Sequence, residues 1–218
     1  MIDKFTIYIP SCRYQMQEDT KIHLQKIGYE ALSFDGVGYP SFSKLINDCV
    51  LSCTTDYIII CNDKSRPNKE HFDKMFELIN EGYGFVGLYT FGFFGFHKSL
   101  IKKIGFFDER FINGEYEDCD FMRRIALSNI AMYLSYEIPY LEIGSSWKRM
   151  GAREHYIKKW KEANPPHDLV CIKKMKEENY DYNLSIDNEI NNFLTYDRSI
   201  VAHAKWMEKV IVLEEYID

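Results

Sequence analysis

"DYIIICND", residues 56–63, is the stretch on which the fold turns. It is a continuous apolar run closed at both ends by polar residues, and a strand apolar on both faces belongs in the buried centre of a parallel sheet. Upstream, "KFTIYIP" (4–10) is β-branched and aromatic and ends in proline, which predicts a first strand. A polar turn leads into "EDTKIHLQKIGY" (18–29), where Ile22, Leu24 and Ile27 can share one helical face. "ALSFDG" (31–36) reads as a short second strand, and "FSKLINDCVLSC" (42–53) spaces Leu45, Ile46, Cys49 and Val50 as a helix.

Downstream, "NKEHFDKMFELINEG" (68–82) sets Phe72, Met75, Phe76 and Ile79 on one side of a helix, with Gly82 as its stop. "GFVGLYTFGFFGFHKSLIKKIG" (84–105) predicts one strand leading into a short helix. "FMRRIALSN" (121–129) is helical and "AMYLSYEIPYLEIG" (131–144) is a further strand. This β-α-β alternation predicts an α/β fold with a mostly parallel central sheet flanked by helices. After "EANPPHD" (162–168) the composition shifts to Asn, Tyr, Lys and Glu, with few strand signals before "KVIVLEEY". We therefore expect a core over residues 1–165 and a helical extension over 166–218 packed on it.

The 218 residues, 46% of them apolar, supply a sizeable core. A net charge of −6 offers no basic face to a nucleic-acid backbone. The six cysteines form no C-x-x-C pair and several sit in apolar runs, so reduced thiols are expected. The amino end reads as a strand rather than a signal peptide, and no segment reaches the roughly 20 apolar residues of a membrane span. A cytoplasmic protein is the expectation.

Ligands of such sheets gather where strands end at their carboxyl side. Three polar clusters qualify: "PSCR" (10–13), "CNDKS" (61–65) and the acids at 115–120. Asn62 and Asp63 suit a turn, and their oxygens also suit a hard divalent cation, although Lys64 beside them opposes a metal or else contacts phosphate. In "GEYEDCDFMRR" (114–124), Glu117, Asp118 and Asp120 can simply offset a helix dipole, with Asp120 pairing to Arg124. Taken alone, that reading prevails; its rival is a single catalytic base. Neighbouring Glu117 and Asp118 cannot face each other across a sugar, which excludes a glycosidase pair. His97, His155 and His167 are scattered. A nucleophile elbow, a P-loop and a G-x-G-x-x-G after the first strand are all missing.

The ordered set changes this balance. "GFFGFHKSLIKKIGFFDERFINGEYEDCDFMRR", with "FTIYIPSCR", "SFDG", "YIIICNDKSRP", "IGSSW" and "HYIKKW", resembles the GT-A fold glycosyltransferases, in particular inverting family 2 and its rhamnosyltransferase-like members, over about residues 4–162. The resemblance implies a hexosyltransferase that moves a sugar from a nucleotide-diphosphate sugar, UDP-linked by family habit, to an acceptor hydroxyl. It implies Asp118 as general base, with Glu117 orienting acceptor or base. Ser11 and Arg13 would border the nucleotide base and Asp35 the base or ribose, while Asn62 and Asp63 would occupy the metal and diphosphate motif. The implied cofactor is a divalent metal, Mn2+ or Mg2+.

Two departures bear on that metal. Lys64 stands where the motif's last acid is expected, and Glu142 stands near the family's histidine. Asp63 is the first choice of metal ligand, with Glu142 as substitute partner; alternatively Lys64 itself neutralises diphosphate. Partners would be a nucleotide-sugar donor and a glycan, glycoprotein or lipid-linked acceptor. Tyr116, Phe94 and Trp147 are candidates for the acceptor platform. The rival functions are a sugar nucleotidyltransferase, which "SCRYQM" lacks the glycines for, and a non-catalytic nucleotide-sugar or carbohydrate binder.

Overall fold

The computed structural model describes residues 5–111, 116–128, 130–135, 138, 139, 141, 155, 211 and 212. Along the chain run β1 (Phe5–Ser11), α1 (Tyr14–Lys26), β2 (Leu32–Asp35), α2 (Phe42–Ser52), β3 (Tyr57–Cys61) and α3 (Lys69–Asn80). They are followed by β4 (Phe85–Tyr89), β5 (Phe93–His97), α4 (Ser99–Ile104), α5 (Glu117–Leu127), β6 (Met132–Leu134) and β7 (Ile211–Val212). The strands form one sheet in the order β2-β1-β3-β5-β4-β6-β7.

The opening stretch is an interior strand, as its composition requires. Ile58 and Ile60 point into one core layer and Ile59 and Cys61 into the other. Burying each isoleucine contributes about 1.5–3 kcal/mol. Helices α2, α4 and α5 cover the first face, through Ile46, Cys49, Leu100, Ile104, Phe121 and Ile125. Helices α1 and α3 cover the second, through Leu24, Phe72, Met75 and Leu78. The protein is thus an α/β domain with a mixed, mostly parallel sheet flanked by helices.

The sheet departs from the expectation first in its middle. Residues 84–97 do not form one strand but an antiparallel hairpin, and β5 is inserted between β3 and β4, antiparallel to both. Both strands are buried on both faces, so only Thr90 and Gly92 mark the turn between them. The chain reverses at Thr90, whose φ is 43°, and Gly92 N–H donates to the Tyr89 carbonyl at 2.6 Å. Gly87 beside this turn has no room for a side chain, since a Cβ there would meet the Thr90 carbonyl oxygen at 2.4 Å.

Helix α1 also differs. It starts at Tyr14, and its buried positions are Gln17, Thr20 and Leu24, whereas Ile22 is exposed. The polar pair turns inward because it has partners there. Gln17 Nε2 donates to the Ile9 and Phe34 carbonyls at 2.5 and 3.0 Å, and Thr20 Oγ1 donates to the Asp63 carbonyl at 2.7 Å. Phe94 is fully buried among Phe85, Phe91, Phe96 and Phe107, which removes it from the acceptor-platform candidates.

Of the expected helical extension, the described residues Ile211–Val212 are a strand, antiparallel to β6, so this part of the expectation is corrected. Glu142, Trp147, His167, "IGSSW", most of "HYIKKW" and the rest of 166–218 lie outside the described residues. No helix among the described residues is long and apolar enough to cross a membrane. The described cysteines, Cys12, Cys49, Cys53, Cys61 and Cys119, are free thiols.

Candidate active site at the strand ends

Parallel pairing of β1 with both β2 and β3 brings their last residues to one end of the sheet. Ser11 is in register with Asp35, and Tyr8 with Ile60, so the chain leaves β1 and β3 side by side. There Ser11 Oγ donates to Asp63 Oδ2 at 2.5 Å, across 52 residues of sequence. The same hydroxyl accepts the Arg13 backbone N–H at 2.8 Å, which turns the guanidinium toward the site. Arg13 Nε lies 3.4 Å from Asp63 Oδ2. Ser11, Arg13 and Asp63 therefore form one unit, and Arg13 meets the residue expected at the diphosphate rather than only bordering the base.

The Asp63 side chain is 5% exposed and the Arg13 side chain 24%. Asp35 is exposed at the end of β2, and its Oδ1 accepts the Val37 N–H at 2.9 Å, an Asx turn. Cys12 follows Ser11, and its Sγ donates to the Gly36 carbonyl at 3.2 Å. Burial first, then Asp35 and Asp63, push its thiol above the ordinary value, against the pull of Arg13.

The loop after β3 is rigid because it is hydrogen-bonded on three sides. Asn62 Oδ1 accepts the Lys64 N–H at 3.1 Å, the turn role foreseen for it, and Asn62 N–H donates to the Gly92 carbonyl of the β4–β5 turn at 2.7 Å. Ser65 Oγ donates to that same carbonyl at 2.8 Å. Arg66 donates through one guanidinium nitrogen to Thr20 Oγ1 and the Asp63 carbonyl, at 2.7 and 2.9 Å. Its backbone N–H donates to the Pro139 carbonyl at 3.0 Å. Lys64 is only 7% exposed. Burial, and then the neighbouring Arg13 charge, push its ammonium below the ordinary lysine value, while Asp63 pulls the other way.

The acidic run begins α5. Glu117, Asp118 and Asp120 all fall in its first turn, after Tyr116 in a left-handed conformation at φ 72°. Asp120 does what the helix reading requires: its Oδ2 accepts from Arg124 Nε and a terminal nitrogen at 3.0 and 2.6 Å, with both side chains buried. Arg124 also donates to the Ile104 carbonyl at 2.6 Å, tying α5 to the end of α4. Asp118 is 6% exposed and its Oδ1 accepts the Cys119 N–H at 2.9 Å. Glu117 is 5% exposed.

The course of α5 gives its first turn a direction. After the helix, the Ile130 side chain lies against Gly84, just ahead of β4. Phe121, earlier in the helix, stacks on Phe107 at 4.0 Å and packs over Phe85, Phe91 and Phe96 at 6.1, 6.3 and 6.1 Å, and β6, which follows the helix, runs parallel to β4. The helix thus runs back against β4, which is parallel to β3 through their shared neighbour β5, and its first turn is directed toward the end where β1 and β3 finish.

The segment before α5 is pinned by groups that the sequence reading passed over. Asn47 of α2 exchanges two hydrogen bonds with the Phe107 backbone, at 2.8 and 2.9 Å. Buried Asp108 takes a bidentate ion pair from Arg110, at 2.8 and 2.6 Å. His155 Nε2 lies 3.4 Å from Asp108, and its ring meets Phe111 edge-on at 4.8 Å. Only the spacing of polar residues on apolar helix faces, as at Asn47, Gln17 and Thr20, could have pointed to these roles.

A Mn2+ or Mg2+ ion asks for several oxygen ligands in a roughly octahedral shell. Among the described residues no group of three or more His, Cys, Asp or Glu side chains is placed to hold one. Asp63 contributes one carboxylate, whose Oδ2 already carries a hydroxyl and a guanidinium, with Lys64 adjacent in sequence. Asp63 is the suggested ligand that the described residues include, and the suggested second ligand Glu142 is outside them.

No family model matches the chain, and no curated protein matches it. Two solved structures of Drosophila β1,4-galactosyltransferase 7 are similar to it in fold, each at 14% identity. The catalytic domain with xylobiose gives a TM-score of 0.48, with 79% of each chain covered. A point mutant with manganese, UDP-Gal and xylobiose gives 0.46, covering 69% of this chain and 72% of that one.

Proposed function

We propose that the protein is an inverting glycosyltransferase that moves a sugar from a nucleoside-diphosphate sugar, UDP-linked by preference, to an acceptor hydroxyl. The observation that carries this reading is the Ser11–Arg13–Asp63 unit at the ends of β1 and β3, with the acidic first turn of α5 directed toward the same end. The ordered sequence motifs resembling family 2 add the assignment of roles.

In this reading Asp118 accepts the proton of the acceptor hydroxyl while that oxygen bonds to the anomeric carbon. The bond from that carbon to the diphosphate oxygen breaks on the opposite side, and the diphosphate leaves with the electron pair. The sugar is inverted. Such base assistance contributes about 10²- to 10⁴-fold, and alignment of the two reactants contributes further. Glu117 orients the acceptor, and Asp35, exposed at the end of β2, contacts the ribose or base. Asn62 shapes the loop that carries Asp63 and Lys64.

The test is release of free nucleoside diphosphate from a panel of nucleotide sugars offered with saccharide acceptors, followed by the anomeric configuration of the product. Asp118→Asn is expected to abolish transfer and to leave nucleotide binding intact. Near-normal transfer by that variant overturns the base assignment. Donor binding without release by the parent protein favours a non-catalytic binder.

A further inference from the structure

We propose that His155 is a positioning residue for the transfer: its bond to Asp108 holds the segment 107–111, and through it the first turn of α5, in the geometry that Asp118 requires. The inference rests on the transferase reading above and names a residue that acts on the proposed base without touching substrate. Its basis is the set of contacts made by that short segment. Asp108 is fully buried, and a buried carboxylate has to be met by donors. Arg110 supplies them from within the segment, through its backbone N–H at 2.9 Å, Nε at 2.8 Å and a terminal nitrogen at 2.6 Å. His155 supplies another from 47 residues further along the chain, its Nε2 lying 3.4 Å from the Oδ2 that also takes the arginine's terminal nitrogen. A carboxylate paired with arginine only accepts, so Nε2 is a protonated nitrogen of the imidazole. Phe111 fixes the ring a second time, edge-on at 4.8 Å, so both of these anchors belong to one segment.

The other contacts of the segment lead to the proposed base. Asn47 bonds the Phe107 backbone twice and also donates to Glu109 Oε1 at 3.0 Å, which fixes the segment to α2. Phe107 lies flat on Phe121 of α5, at 4.0 Å with 4° between the ring planes. Asp118 comes three residues before Phe121, on the same side of the helix. Three residues after Phe121, Arg124 donates to the Ile104 carbonyl at 2.6 Å, so α5 is joined to this stretch of chain at two points. A core packed at the density of an organic crystal transmits a displacement instead of absorbing it. Misplacing an aligned reactant by about 1 Å can cost about 10²-fold in rate. Loss of the His155 anchor is therefore read out in turnover.

The experiment compares His155→Phe, which keeps a ring against Phe111 but has no donor, with His155→Gln, which keeps a donor for Asp108. The whole chain is assayed for nucleoside diphosphate release from the nucleotide sugar that the parent turns over best, for calorimetric affinity toward that diphosphate (UDP, GDP, CDP or dTDP), and for amide hydrogen exchange. His155→Phe is expected to lower kcat at least about tenfold with diphosphate affinity within about twofold of the parent, and to quicken exchange over both 105–111 and 117–121. His155→Gln should recover most of the turnover and of the protection. A kcat in His155→Phe within about twofold of the parent, or unchanged exchange over 117–121, overturns the inference and leaves the transferase reading in place. Diphosphate affinity that falls in step with kcat also overturns it, by putting His155 against the donor. Equal losses in the two variants overturn it as well, because packing and not the bond to Asp108 is then at work. Should His155→Phe fail to fold, His155→Asn, whose amide is too short for Asp108, takes its place with the same expectations. A parent that releases no nucleoside diphosphate from any nucleotide sugar overturns both the transferase reading and the role given to His155.

Discussion

The start of α1 and the start of α5 are two helix beginnings with opposite chemistry. The first turn of α1 has no acid and is preceded by Arg13; the first turn of α5 has Glu117, Asp118 and Asp120. Both neighbourhoods bury charge, with Asp63 and Lys64 at 4% and 7% exposed and Asp118 and Asp120 at 6% and 0%. They solve the cost of burial differently. At the strand ends, charges of opposite sign lie side by side and a hydroxyl completes the set. At α5, Asp120 takes an arginine, whereas Asp118 is received by backbone N–H at the positive end of a helix. The two neighbourhoods thus receive a buried acid by different means, a side-chain cation and a hydroxyl at Asp63 and a backbone N–H at Asp118.

The sharpest way to break the comparison is to exchange the acids for amides one at a time. Asp118→Asn is expected to lower kcat about 10²- to 10⁴-fold at unchanged donor KM, whereas Asp63→Asn should act mainly on donor KM. Steady-state kinetics on both variants checks this, and the same kcat loss in both would erase the distinction. Arg124→Met asks whether Asp120 belongs to structure alone. Leaving that buried carboxylate without its arginine should cost about 3–5 kcal/mol in urea unfolding, with nucleotide affinity kept in the folded fraction. Affinity lost in proportion to stability would instead join Asp120 to the site.

Two smaller changes sharpen the baseline. Asn47→Ala removes both bonds to the Phe107 backbone and should cost about 1–3 kcal/mol, with faster amide exchange over residues 105–111. Unchanged exchange there would show that Asp108 and Arg110 hold the segment unaided. Ser41→Ala removes the ordinary side-chain cap of α2, where Oγ accepts the Lys44 N–H at 3.1 Å, and should cost about 1 kcal/mol with no effect on the site.

Much of this was readable residue by residue. The three isoleucines of β3 declare a strand buried on both faces, and Leu45, Ile46, Cys49 and Val50 declare the inner side of α2. Asp120 and Arg124 declare their own pairing through a four-residue spacing. The hairpin of β4 and β5 was not readable, because a buried pair of strands is apolar on every side and the turn between them is only Thr90, Phe91 and Gly92. Gln17 and Thr20 misled for the opposite reason. Polarity normally means solvent, but both turn inward to satisfy carbonyls at the strand ends. Arg13 was read as a neighbour of the base; its distance to Asp63 depends on how β1 and β3 pair, which no local pattern contains.

By itself the amino-acid order determined the alternation of strands and helices, the two-sided burial of β3 and the acidic helix start, since each rests on side-chain periodicity within a dozen residues. Only the tertiary structure decided that Asp63 meets Arg13 and Ser11, that Phe94 is core, and that β5 runs against its neighbours. Those facts depend on which segments become adjacent when both faces of the sheet are covered at once, and adjacency across 52 residues is set by packing of the whole domain.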